Sequence, residues 1–218
     1  NMLGMEGGID AAAELFGGRT YLGVMGGYLS ANDIRVFQSG APDAKGHTKN
    51  PVAGLYATWL PHNSPWFVDL TARHFWVHTD LDNLSGGNRT NGYDIKRGFW
   101  AFTAETGRLF DFDAPRVLNA GSSLITFEPK IELRYVHGEA KDFTTDNGEI
   151  GSIDSTSSLV SRFNLQTSYL PEGRASNWKL FLELGLYNEW IGRTKVKFAD
   201  TRLTTSDLSG LGFEASLG

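Results

Sequence analysis

Apolar and polar residues alternate along most of this chain with a period of two. From Leu124 onward the odd positions Ile125, Phe127, Pro129, Ile131, Leu133 and Tyr135 are apolar, while Thr126, Glu128, Lys130, Glu132 and Arg134 between them are polar. Successive side chains on a strand point to opposite faces, so this stretch predicts a strand with one apolar and one charged face. The pattern recurs downstream. Leu159, Phe163, Leu165 and Tyr169 share a parity with Ser161 and Thr167, against Val160, Arg162, Asn164, Gln166 and Ser168. Trp178, Leu180, Leu182, Leu184, Leu186 and Trp190 then oppose Lys179, Glu183, Tyr187 and Glu189, with Asn188 the one interruption. Upstream, Trp66, Val68, Leu70, Ala72, His74 and Trp76 share a face, and Asp69, Thr71 and Arg73 occupy the other. Helical periodicity is nearly absent.

Alternation alone also suits a soluble β-sandwich or lipocalin-like barrel, whose apolar face points inward. Strand length and aromatic placement favour a membrane wall instead. Apolar runs of ten to twelve residues, bracketed by tryptophans, cover roughly 25 to 30 Å when tilted by about 40°, the height of an outer-membrane apolar band. Soluble strands are usually about half as long. Nine strands are predicted, near residues 2–10, 19–30, 50–61, 65–80, 95–111, 123–139, 158–170, 177–192 and 209–218. The links between them alternate. Short or moderate ones (the Gly17-Gly18 turn, His62 to Ser64, Phe112 to Ser122, Pro171 to Ser176) take turns with long polar ones such as Ala31 to Lys49 and Ala140 to Ser157. This sorting is expected of an up-and-down transmembrane barrel with its short turns in the periplasm. Nine is an odd count for a bacterial single-chain barrel, so the chain is expected to supply part of a wall.

Composition narrows the function. The 218 residues include 20 Lys plus Arg against 25 Asp plus Glu, a net charge of -5, which disfavours binding to nucleic acid. There is no cysteine, which removes disulfides, thiolate metal sites and cysteine nucleophiles. The 26 glycines beside abundant aromatics fit β structure. A mean hydropathy of -0.27 is what alternating strands average to.

The order of segments resembles the C-terminal β-barrel domain of autotransporters, the pertactin-like family of type V secretion. The resemblance rests on Leu3-Gly4-Met5-Glu6, on Tyr21 to Tyr28 (YLGVMGGY), on Gly54 to Trp59 (GLYATW) and on Trp66 to Arg73 (WFVDLTAR). It continues through Ala104 to Phe110 (AETGRLF), Phe127 to Tyr135 (FEPKIELRY), the loop Asp142 to Asp154, Arg162, and Leu180 to Trp190 (LFLELGLYNEW), colinear over essentially the whole chain. It implies a twelve-stranded barrel threaded by a helix. Residues 1–218 would be its second to tenth strands, without the first strand, the linker helix and the last two strands. It also implies an outer-membrane translocator in a Gram-negative bacterium that anchors a passenger and gives it a route to the surface. The implied partners are outer-membrane lipid and lipopolysaccharide, the protein's own passenger and linker helix, and the barrel assembly machinery. An outer-membrane porin-like or enzymatic barrel is the alternative.

On this reading Asp69, Arg73, Glu105, Glu128, Lys130, Glu132, Arg134, Arg162, Lys179 and Glu183 face the lumen, and Trp66, Trp76, Trp178 and Trp190 form the aromatic girdle. Some family members cut the passenger junction with lumenal carboxylates. Here Glu105, Glu128, Glu132 and Glu183 are expected instead to pair with Lys130, Arg134, Arg162 and Lys179 and to stiffen a hydrated wall. No G-x-S-x-G motif occurs, and no catalytic residue, cofactor or metal is assigned. His74 and His78 would lie ~13 Å apart on a strand, too far to share a metal, and read as interfacial. Asp80, Asp82 and Asp94 read as solvated carboxylates flanking a long loop.

Overall fold

The computed structural model describes residues 2–36, 44–85, 90–113, 123–144, 148, 150–171, 179–198, 201–207 and 209–217. Among these every element is a strand, and all belong to one antiparallel sheet. The wall runs β1 (Met2–Leu15), β2 (Gly18–Val36), β3 (Ala44–Pro61), β4 (Trp66–Ser85), β5 (Thr90–Arg108), β7 (Leu124–Gly138), β10 (Thr156–Leu170) and β11 (Leu180–Phe198). The short β6 (Phe110–Asp113) continues β5 along β7, because Gly107 pairs Lys130 and Phe110 pairs Phe127 in unbroken register. Likewise β12 (Thr201–Asp207) and β13 (Gly210–Leu217) both pair β11. A hairpin of β8 (Lys141–Thr144) and β9 (Ile150–Ile153) lies between β7 and β10 in sequence, and β9 pairs the far end of β11. The nine predicted wall strands are thus all present, with the up-and-down order expected.

The strands overrun their predicted ends. β2 and β3 continue into the connection Ala31 to Lys49, β4 and β5 extend to Ser85 and back to Thr90, and Ala140 to Ser157 holds the β8–β9 hairpin. Ladder hydrogen bonds do not need alternating hydropathy. Where both faces meet water the polar sequence carries no period-2 signal. At the other end the turns are tight. Leu15 pairs Gly18 across a two-residue loop in which Phe16 and Gly17 both have positive φ, 55° and 71°, the geometry that matches strand twist.

Residue exposure is inverted relative to a soluble protein. Ile131 and Leu133 are 59% and 49% exposed, while Glu132 between them is 8% exposed. Among the described residues the buried apolar set is Val52, Ile95 and Phe143, whereas Thr20, Ser123, Thr126, Glu132, Asn164 and Ser168 are buried and polar. The apolar face therefore points away from the protein. Sheet register also climbs across the wall. The row Phe67, Gly107, Lys130, Asn164, Gly185, Glu214 starts near the beginning of β4 and ends inside β13. That stagger is what tilted barrel strands require.

Glycine makes room on the charged face. Tyr56 lies directly opposite Gly23, Phe67 opposite Gly107, Phe99 opposite Gly138 and Tyr187 opposite Gly212. In each pair a Cβ on the glycine would enter the partner's ring. The rings lie flat against bare backbone, so large side chains fit on the concave side of a curving sheet. This accounts for part of the glycine content.

Two outcomes are expected. Leu133→Arg or Leu182→Arg costs about 2–4 kcal/mol in lipid refolding titrations, and Gln166→Arg on the opposite face much less. Gly23→Val, which drives a side chain into Tyr56, costs about 1–3 kcal/mol, whereas Gly7→Val, in open space, is nearly neutral in the same titration.

Candidate functional site

The candidate site is the charged inner face, because the buried polar side chains and the carboxylate–arginine pairs gather there. Pairing registers place Asp69, Arg73, Glu105, Glu128, Lys130, Glu132, Arg134, Arg162 and Glu183 on one face of the sheet. Asp69, Glu105 and Glu132 are successive partners in one cross-strand row. Three adjacent carboxylates repel unless cations intervene. Two arginines converge on the last of them: Arg134 Nη2 lies 3.0 Å and Arg162 Nη1 3.4 Å from Glu132 Oε1. Arg162 Nε is also 3.0 Å from Glu214 Oε1, linking β10 to β13 over β11. Lys130 Nζ lies 3.9 Å from Glu183. These contacts form a carboxylate–cation network across β7, β10, β11 and β13. Lys179 departs from it, placing its ammonium over the Phe181 ring at 5.5 Å.

Three further contacts escaped the sequence reading. Glu6, Asp10 and Glu14, four residues apart on the inner face of β1, each hold a different strand or turn. Glu6 lies 3.4 Å from Arg73 on β4, Asp10 accepts a 2.6 Å hydrogen bond from Tyr56 on β3, and Glu14 lies 2.9 Å from His62. Their common parity was legible; their partners, strands away in sequence, were not. Nearer the long-connection end, the Arg97 guanidinium donates to the Glu139 carbonyl at 2.7 and 2.9 Å and to the Asp154 carbonyl and Thr156 hydroxyl at 3.3 Å. It secures both ends of the segment that carries β8 and β9.

The outer face carries the girdles. Trp66 opens β4 and Trp76 lies ten residues on, ~33 Å along the strand, and both are exposed. Trp190 is exposed at the same end as Trp76 and donates from Nε1 to the Ser161 hydroxyl at 2.9 Å, satisfying a polar pair on the apolar face. Register shifts between Leu159 and Val160, where Ile191 and Glu189 are the successive partners, so Trp190 occupies the extra position of a bulge. Trp178 lies outside the described residues. Trp100, not predicted, joins the girdle: His74 lies edge-on between Trp76 and Trp100, with ring centroids at 4.5 and 4.6 Å. Arg108 caps the other end, over the rings of Trp66 and Phe110. Aromatic and basic side chains at both rims of an apolar band are the anchors a bilayer selects.

Comparisons with known proteins agree with this geometry. A family model described as Autotransporter beta-domain matches residues 1–218. The pertactin autotransporters of Bordetella bronchiseptica and Bordetella parapertussis are each 27% identical over 228 residues, covering 99% of this chain and 22% of theirs. The chain therefore spans about a fifth of those relatives. Among solved structures, the β domain of the Bordetella autotransporter Brka superposes with a TM-score of 0.67 at 21% identity, over all of this chain and 78% of that one. The transport unit of the autotransporter AIDA-I from Escherichia coli gives 0.71 at 16% identity, over 99% and 70%.

Glu132 neutralises two arginines on the buried inner wall, so Glu132→Ala is expected to destabilise the folded barrel by about 1–3 kcal/mol in urea titration. Glu128→Ala, with no such convergence, changes it by less than about 0.5 kcal/mol.

Proposed function

This chain belongs to the autotransporter β-domain family, the translocator of type V secretion, and from that premise we infer that it anchors an upstream passenger and provides its route across the outer membrane of a Gram-negative bacterium. The reversal of faces carries the reading. An exposed apolar outer surface with aromatic rims needs lipid around it, and a charged inner wall lets a hydrated polypeptide lie against it.

In this proposal the nine wall strands are the second to tenth of twelve. β1 and β13 pair on one side only among the described residues, and lipid cannot satisfy such an edge. Both solved relatives extend beyond the region matched. A first strand, a linker helix and two last strands would complete the wall and occupy the lumen. Lipid and lipopolysaccharide would surround it, and the barrel assembly machinery would insert it. The role is transport rather than catalysis. The lumenal carboxylates stiffen and hydrate the wall through their arginine and lysine partners.

Orientation follows from the connections, with β8 and β9 outside the cell and the Phe16-Gly17 turn in the periplasm. This chain contains no cysteine. In the full-length protein, Asp142→Cys should therefore react with an impermeant thiol reagent on intact cells and Glu14→Cys should not; the reverse labelling would turn the barrel over. An epitope in the passenger should be removed by external protease from cells whose barrel migrates heat-modifiably. A heat-modifiable barrel with the passenger wholly periplasmic would overturn translocation and favour a porin-like pore.

A further inference from the structure

Beyond the aromatic rim, the outer face of β3, β4 and β5 gathers two histidines and two aspartates. His47, Asp80 and Asp94 are direct cross-strand partners in one row, and His78 sits two residues before Asp80 on the same face of β4. His47 Nε2 lies 2.9 Å from Asp80 Oδ2. His78 Nε2 lies 2.7 Å from Asp94 Oδ1 and 3.3 Å from Asp80 Oδ1. Lys96 holds the other Asp94 oxygen at 3.4 Å, which leaves Oδ1 turned toward His78.

The sequence reading separated these groups. It paired His78 with His74, and it placed the aspartates beside a loop. The structure separates the histidines: His74 belongs to the tryptophan girdle. It places Asp80 and Asp94 on paired strands, because the ladder continues past the membrane band. Asp82, the third of that group, has no described side chain.

The geometry points to a divalent transition-metal site of the zinc class, with His78, Asp80 and Asp94 as ligands, a water in the fourth position, and His47 holding the second oxygen of Asp80 from β3. Three observations carry it. The donor atoms of His78, Asp80 and Asp94 all lie within 4.8 Å of one another, and His78 Nε2 is 2.7 and 3.3 Å from the two carboxylate oxygens, in the range of the ~3.3 Å edge of a tetrahedron with bonds of about 2.0–2.1 Å. His78 Nε2 is itself buried and flanked by two carboxylate oxygens, yet its N–H is aligned with neither, so a cation between the three atoms satisfies what a hydrogen bond does not. Finally, one imidazole with two carboxylates forms a mixed nitrogen–oxygen set, which suits zinc better than the all-oxygen sets taken by calcium and magnesium. Asp94 and His47 are substantially solvent-accessible, so an ion reaches the site from outside. Bound there, it would tie β3, β4 and β5 together just outside the bilayer.

The test uses full-length protein purified from outer membranes in detergent and stripped with a chelator, with Zn2+ in equilibrium dialysis. One zinc per chain is expected, with a dissociation constant at or below ~10 μM. His78→Ala and Asp94→Asn should each weaken it at least tenfold and His47→Ala by less. His62→Ala, at the opposite end, should leave it unchanged. Heat-modifiable migration checks that each variant is folded; where His78→Ala loses it, His47→Ala and Asp94→Asn decide. Co2+ should bind at the same stoichiometry with the visible absorption of a tetrahedral ion. Absence of stoichiometric zinc, affinity unchanged in the folded variants, or calcium bound as tightly as zinc would each overturn the proposal.

Discussion

Lipid offers no hydrogen bonds, and that single constraint organises this molecule. Any backbone N–H or C=O left unpaired in the bilayer core costs several kcal/mol, so a chain that crosses by strands must pair each strand on both sides. Among the described residues β2, β3, β4, β5, β7, β10 and β11 each pair on both sides. What remains are the outer edges of β1 and β13. Pairing also explains why strands run on past the apolar band: once two neighbours are in register, continuing the ladder into water needs no hydrophobic face.

The second consequence is the inversion of the faces. With lipid outside, burial of apolar side chains in a protein core is not what holds the sheet together. Ladder hydrogen bonds, ring-on-glycine packing on the concave side and inner-face ion pairs take that place. Glu6, Asp10 and Glu14 show how an edge strand is held from within, each contacting a different part of the neighbouring wall. Glu132, shared by two arginines, does the same at the centre of β7.

Much of this was legible in the sequence, for an identifiable reason. Alternation over residues 124–135 divides the side chains of β7 between two faces, and exposure alternates with it from Ile131 to Tyr135, because a membrane wall holds one apolar parity along the crossing. Legibility ended where that enforcement ends. Ala44 to Lys49, Leu81 to Ser85 and the β8–β9 hairpin lie beyond the alternating stretches and read as connections. The bulge at Trp190 was hidden because an inserted residue looks like a continued alternation until Ile191. Partners on different strands, such as Arg162 with Glu214 or His47 with Asp80, depend on registers that hydropathy does not encode. Lys179 was assigned by parity to the ion network, but an aromatic neighbour two residues on holds its ammonium instead.

The face assignment itself is most directly tested by a nitroxide scan of β7 in the full-length protein, reconstituted in lipid vesicles. Single labels from Lys130 to Tyr135 would be read for collision with oxygen, which concentrates in the bilayer, and with a water-soluble nickel chelate. Labels at Ile131, Leu133 and Tyr135 should collide preferentially with oxygen, and those at Lys130, Glu132 and Arg134 with nickel, in strict alternation. Alternation of the opposite phase, or equal exposure of all six to the nickel reagent, would contradict a wall with lipid on its apolar side.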